Sequence, residues 1–118
     1  MRLIATDLDG TIVRHDGSVS PRTVRALGAA REAGVHLVLV TGRPYRWLGG
    51  LRDALGSLGT AICSNGAVVF DDDSRSVVEA TVLPTDSLLR ARAEVLRLAP
   101  DAVFAAETTE GLHLEPGF

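Results

Sequence analysis

Two apolar runs, each ending in a polar loop that contains glycine, constrain this chain more than any other feature. Leu3-Ile4-Ala5 leads into Thr6 and Asp7, and Val35-His36-Leu37-Val38-Leu39-Val40 leads into Thr41-Gly42. Short apolar stretches of this kind read as buried parallel strands. Between them Ser20 is placed to cap a helix that Pro21 opens, Val24 and Leu27 recur one turn apart, and Gly34 is placed to close it. Strand, helix and strand form a βαβ unit, so the expected class is α/β with a Rossmann-like parallel sheet. The unit repeats after Pro44, where Leu48, Leu51, Leu55 and Leu58 fall on one helical face before Thr60-Ala61-Ile62-Cys63 offers a third strand.

Beyond Asn65-Gly66 the pattern changes. Ala67-Val68-Val69-Phe70, a polar turn over 71–75 and the Val- and Thr-rich stretch 76–83 predict a hairpin. Pro84-Thr85-Asp86 opens a helix carrying Leu89, Ala93 and Leu96, and 102–107 with 112–115 suggest two more strands around Gly111. We therefore expect two modules, 1–66 and 67–118, in contact because no linker separates them.

Charge and composition narrow the function classes. The 118 residues carry 12 basic against 15 acidic side chains, net −3, and every basic residue is arginine. An acidic balance with scattered arginines argues against a nucleic-acid binder, whose affinity rests on clustered positive charge. No apolar run approaches the roughly 20 residues of a membrane helix, and Asp7 interrupts the start too early for a signal-peptide core. A lone cysteine, Cys63, forms no internal disulfide, so a reducing, cytoplasmic setting is expected. Cys63 itself reads as a small core residue, and His15, His36 and His113 show no spacing that suggests a shared metal.

Right-handed crossovers put the carboxyl ends of parallel strands on one rim, where the loops 7–11, 41–44 and 64–66 should converge. They bring Asp7, Asp9, the Thr41 hydroxyl, Gly42, Arg43 and Asn65 together, a set suited to a phosphate and a hard cation. Two carboxylates and a phosphate dianion repel one another, so such a site needs a bridging metal, and oxygen donors favour Mg2+. Simpler readings stand beside this one. Thr41 equally suits helix capping, Asn65-Gly66 a tight turn, and Tyr45 and Trp47 packing. A second Asp-x-Asp, Asp71 and Asp73, lies in a run that reads as a solvated turn, so context and not the motif distinguishes Asp7 and Asp9.

The stretch from Leu3 to Ile12 with its Asp7-Leu8-Asp9-Gly10-Thr11, together with Thr41-Gly42-Arg43-Pro44 and Ser64-Asn65-Gly66-Ala67, resembles the haloacid dehalogenase superfamily, and within it the Cof-like phosphatases with a type IIB cap. The resemblance implies a partial α/β core followed by the beginning of an α/β cap. It implies Asp7 as nucleophile, Asp9 as general acid and base, and Mg2+ held by Asp7 and Asp9. Thr41, Gly42, Arg43 and Asn65 would border the transferring phosphoryl group of a small phosphorylated metabolite such as a sugar phosphate. Family members run to more than twice this length, and their third motif supplies a lysine that this chain lacks. The 118 residues alone are therefore expected to be inactive, with an incomplete sheet that favours homo-oligomers. Two other readings stay open. One is a non-catalytic binding or assembly module completed by a partner chain; the other is a phospho-acceptor receiver domain, which should itself carry a lysine.

Overall fold

The computed structural model describes residues 2–118, and β1 (Leu3–Asp7), α1 (Pro21–Glu32), β2 (His36–Val40), α2 (Gly49–Leu55) and β3 (Thr60–Cys63) follow in the order the sequence predicts. The Ser20 hydroxyl accepts the Thr23 amide at 3.0 Å, Pro21 occupies the first turn of α1, and Gly34 turns the chain at φ +76°. This is the expected pairing of a polar cap with a proline start and a left-handed glycine exit. A 3₁₀ turn over Tyr45–Leu48 precedes α2, which ends at Gly56 with φ +75°. Leu58 therefore lies beyond the helix whose periodicity it continues, yet it is completely buried.

β1, β2 and β3 are parallel neighbours, in a register that aligns Asp7 with Val40 and Val40 with Ile62. The sheet does not stop there. β4 (Val68–Asp71) pairs antiparallel with β3, and β5 (Ser76–Ala80) with β4, giving one five-stranded sheet in sequence order. One compact unit runs through Thr81, and Val82–Phe118 forms a second.

The expectation of fully buried parallel strands needs correction. Leu39, Ala61 and Phe70 are register partners on one face and form the core with Leu48, Leu51, Leu55 and Leu58. Val24 and Leu27 of α1 pack against that same cluster. Both helices thus cover one face, which leaves Val40 on the other exposed and β1 without a buried residue. Continuous burial needs helices on both faces, and within the described residues β1 pairs on one side only.

The turn over 71–75 also departs from expectation. Asp72, between the two aspartates read as solvated, is 1% exposed. Its carboxylate accepts Arg52 Nε and Nη2 at 2.8–3.1 Å and the Leu58 amide at 3.0 Å, with Arg75 at 3.5 Å. Burial pushes its pKa up, but the Arg52 and Leu58 hydrogen bonds and the two arginine charges outweigh it and hold the carboxyl below its ordinary value. Asp72 thus ties α2, the turn before β3 and the hairpin together. Asp72→Ala strands the Leu58 amide and should cost about 2–3 kcal/mol, read as a lower urea midpoint. Because the folded pKa lies below the unfolded one, Asp72's contribution is complete above pH ~4 and is lost as pH falls through the folded value. Wild type should therefore lose stability more steeply than Asp72→Asn on acidification.

The second unit holds α3 (Thr85–Leu98) and a hairpin of β6 (Ala105–Glu107) with β7 (Leu112–Leu114). Arg92 reaches from α3 to Glu115 at 2.7 Å and lies over the Phe104 ring at 5.3 Å. None of α3 is fully buried, so its face stays largely in solvent.

Candidate active site

Asp7 is the last residue of β1, and the chain then turns tightly on Leu8. The Leu8 carbonyl accepts the amides of Thr11, Ile12 and Val13 at 2.8–3.1 Å, and Gly10 makes the turn at φ +76°. Leu8 and Val13 are buried beneath it while Asp7, Asp9 and Thr11 stay exposed. The hydrophobic side chains anchor the loop and present its carboxylates to solvent. Thr11 Oγ1 donates to Asp7 Oδ2 at 3.2 Å.

The second loop begins where β2 ends. Thr41 is 4% exposed; its amide donates to Ile62 O at 2.9 Å, and its hydroxyl oxygen accepts the Arg43 amide at 3.1 Å. A hydroxyl that accepts one such bond keeps its own proton for another acceptor. The third loop is tied to the second, because the Ser64 amide donates to Arg43 O at 3.0 Å and the Asn65 amide to Thr41 O at 3.2 Å. A Cβ at Gly42 would stand 3.0 Å from Asn65 Oδ1, so a larger residue there would push the Asn65 side chain from its place beside this loop.

Ser64, Asn65 and Gly66 are all left-handed, with φ of 52°, 56° and 96°. Two consecutive non-glycine residues in that region store strain, which commonly accompanies functional turns. The Asn-Gly pair signals the last two positions in sequence; nothing signals Ser64, whose buried Oγ has no hydrogen-bond partner.

Arg43 and Asp9, 34 residues apart, form a bidentate ion pair: Nε donates to Oδ2 at 2.8 Å and Nη2 to Oδ1. The Arg43 hydrogen bonds, reinforced by its charge, hold the Asp9 carboxyl below its ordinary value. The sequence placed both residues on the rim without revealing this pairing. Asp9, Arg43, Thr41, Gly42 and Asn65 are thus linked in one continuous set, and Asp7 joins it through the strand register. Cys63, just below, is buried, and burial pushes its thiol up to about 11, so it is no nucleophile at neutral pH. Tyr45 is a packing residue, its ring 4.9 Å from that of Phe70.

The donor chemistry can be tested against a cation. Among the described residues no cluster of three or more His, Cys, Asp or Glu side chains could cage an ion. Mg2+ needs no such cage; it is commonly held through one or two carboxylates with water and substrate phosphate completing the shell. The Asp7 carboxylate and the Asp9 backbone carbonyl, both hard oxygen donors at the rim, fit that demand.

Three parallel strands whose carboxyl-end loops carry paired aspartates, a buried threonine and a strained Ser-Asn-Gly turn define the class, and the sequence model of the haloacid dehalogenase-like hydrolases matches residues 4–110. The chain belongs to that family. It is 38% identical over 89 residues to the pyridoxal phosphate phosphatase YbhA of Escherichia coli (strain K12), covering 75% of this chain and 33% of that protein. To a phosphoglycolate phosphatase of Metallosphaera sedula it is 39% identical over 72 residues, 59% of this chain and 32% of that one. In structure it is similar to a phosphatase of the haloalkanoate (HAD) superfamily from Bacteroides thetaiotaomicron, with TM-score 0.79 and 29% identity over 98% of this chain and 43% of the other. The chain therefore spans about a third of the length of these curated relatives.

Proposed function

We propose that this chain is the amino-terminal portion of a Mg2+-dependent phosphatase that hydrolyses small phosphorylated metabolites through an aspartyl phosphate on Asp7. The observation that carries the reading is the linked rim set, in which Asp7 and Asp9 leave β1 beside the Thr41-Gly42-Arg43 loop and the Asn65 turn. Two of the relatives are named for small phosphomonoester substrates, pyridoxal phosphate and phosphoglycolate, which supports the substrate class. On this reading 1–66 carries the core loops and 67–118 begins the segment that selects the leaving group. A cytoplasmic setting suits such substrates; among the described residues no helix is long and apolar enough to cross a membrane.

The mechanism follows from the groups. An Asp7 oxygen attacks phosphorus opposite the ester oxygen, whose bond to phosphorus breaks as Asp9 gives it a proton. Asp9, now a carboxylate, takes a proton from water; that water attacks the phosphorus of the aspartyl phosphate, releasing inorganic phosphate and restoring Asp7. The Thr41 hydroxyl and the Gly42 backbone orient the phosphoryl oxygens, and Arg43 and Asn65 border them. Held by Asp7 and the Asp9 carbonyl, Mg2+ would offset the repulsion between carboxylates and phosphate dianion. Asp9 must be protonated to act as acid, so its grip on Arg43 has to loosen during turnover.

The test is phosphatase activity of the protein extended to the length of its relatives. Chelation of divalent ions should lower turnover at least about 100-fold, with recovery on adding Mg2+. Undiminished turnover in excess chelator would refute the metal dependence.

A further inference from the structure

The turn between β4 and β5 sorts its charged residues onto two sides. Asp71 and Asp73 line a broad recess with Leu3 and His36, whereas Asp72 and Arg75 line a separate one of about 200 Å3. The walls of the smaller recess include Tyr45, Arg46, Leu48 and Phe70, and none of the rim residues Asp7, Asp9, Thr41, Gly42, Arg43 or Asn65 belongs to it. It is a place apart from the phosphate rim.

Its lining joins apolar surface to positive charge. Leu48 and Phe70 are buried, and the Tyr45 ring stacks on Phe70 at 4.9 Å. Arg46 lies over the Tyr45 ring at 4.9 Å and donates to its hydroxyl at 3.0 Å. The one acidic lining residue, Asp72, is already satisfied, because Arg52 and the Leu58 amide donate to its carboxylate at 2.8–3.1 Å. Arg75 approaches that carboxylate only at 3.5 Å. The lining therefore carries two guanidinium groups against one carboxylate that a third arginine neutralises, a balance that suits an anion.

The backbone of Arg75 points the same way. It turns the hairpin at φ +58°, a conformation that glycine adopts freely and arginine only under strain. A 3.5 Å contact with a satisfied carboxylate returns little for that strain, and the Arg75 side chain stays 60% exposed. Strain with little local return marks positions kept for function. We infer that this recess binds a small organic anion, a carboxylate or phosphate carrying an apolar group, with Arg75 holding its charge and the Tyr45, Leu48 and Phe70 surface receiving its apolar part. The volume suits such a ligand, since a cavity of about 150 Å3 accommodates a benzene ring.

The 118-residue chain, in buffer free of divalent ions, is titrated with 3-phenylpropionate, with its neutral amide and with propionate. Calorimetry gives the affinity, and backbone amide NMR shifts give the place. 3-Phenylpropionate should bind at least about ten-fold tighter than either control. It should move the amides of Leu48, Gly49 and Arg75 and leave those of Gly42 and Asn65 in place. Arg75→Gly should lower the affinity about ten-fold while its urea midpoint stays at or above wild type, because glycine relieves the turn; a purely structural arginine would lower the midpoint instead. Arg75→Gln, which keeps much of the side chain without its charge, should lose the preference for the acid over the amide. Equal binding of acid and amide, no binding of 3-phenylpropionate, shifts centred on Gly42 and Asn65, or undiminished affinity in both Arg75 variants overturns the inference. It does not rest on the phosphate-rim reading, which stands or falls separately.

Discussion

Asp7→Asn in the extended protein should lower phosphatase turnover at least about 1,000-fold while leaving the fold intact. The substitution is nearly isosteric, and an asparagine side-chain oxygen can still accept the 3.2 Å hydrogen bond from Thr11. What disappears is the charge and the nucleophilicity of the carboxylate, since a neutral amide oxygen attacks phosphorus poorly. Asp7 is itself exposed at the end of β1, so its replacement leaves no buried group unpaired. Circular dichroism and urea midpoint should match wild type, which separates loss of chemistry from loss of structure. A variant retaining more than a few per cent of wild-type turnover would remove Asp7 from the mechanism.

The second large effect concerns the 118 residues on their own, which should hydrolyse phosphomonoesters at least about 1,000-fold more slowly than the extended protein. With the Asp9 charge met by Arg43, the Asp7 carboxylate and a phosphate dianion still bring three negative charges to the rim, and one Mg2+ offsets only two of them. The chain contains no lysine, and its nearby cation, Arg43, is committed to Asp9. Its planar fork matches a carboxylate bidentately, so it is a poor stand-in for a mobile ammonium on the transferring group. The same chain leaves one edge of β1 unpaired and exposes Leu3 and Val40, which favours association through the open sheet. Sedimentation should report species heavier than a monomer. A monomer that turns over phosphomonoesters at the rate of the extended protein would contradict this prediction, whereas an inactive, stable assembly that binds phosphate would favour the binding-module alternative.

How far the sequence reached depended on whether a feature was local. Ser20-Pro21 and Gly34 marked the ends of α1 because caps and left-handed exits are written within a few residues. The ends of β1, β2 and β3 were legible for the same reason, and with them the rim that gathers Asp7, Asp9, Thr41, Gly42, Arg43 and Asn65. Leu58 shows the limit of periodicity: its spacing continued the helix, but Gly56 had already turned the chain, and Leu58 reaches the core from a loop. Partners distant in sequence were not legible. Asp72 looked like one of three turn aspartates because the arginine that fixes it is 20 residues away, and the Asp9 pairing spans 34. One-sided burial escaped too, because an apolar run records that a strand can be covered on both faces, not whether helices are there to cover it.

Acid quenching of the extended protein during turnover, followed by peptide mass spectrometry, detects a covalent phosphoryl group on Asp7 if one forms. One added phosphoryl group is expected on the peptide containing Asp7, sensitive to hydroxylamine as an acyl phosphate must be, and absent from Asp7→Asn. A phosphoryl group on any other side chain, or full turnover by the Asp7→Asn protein with no phosphorylated peptide, would contradict it.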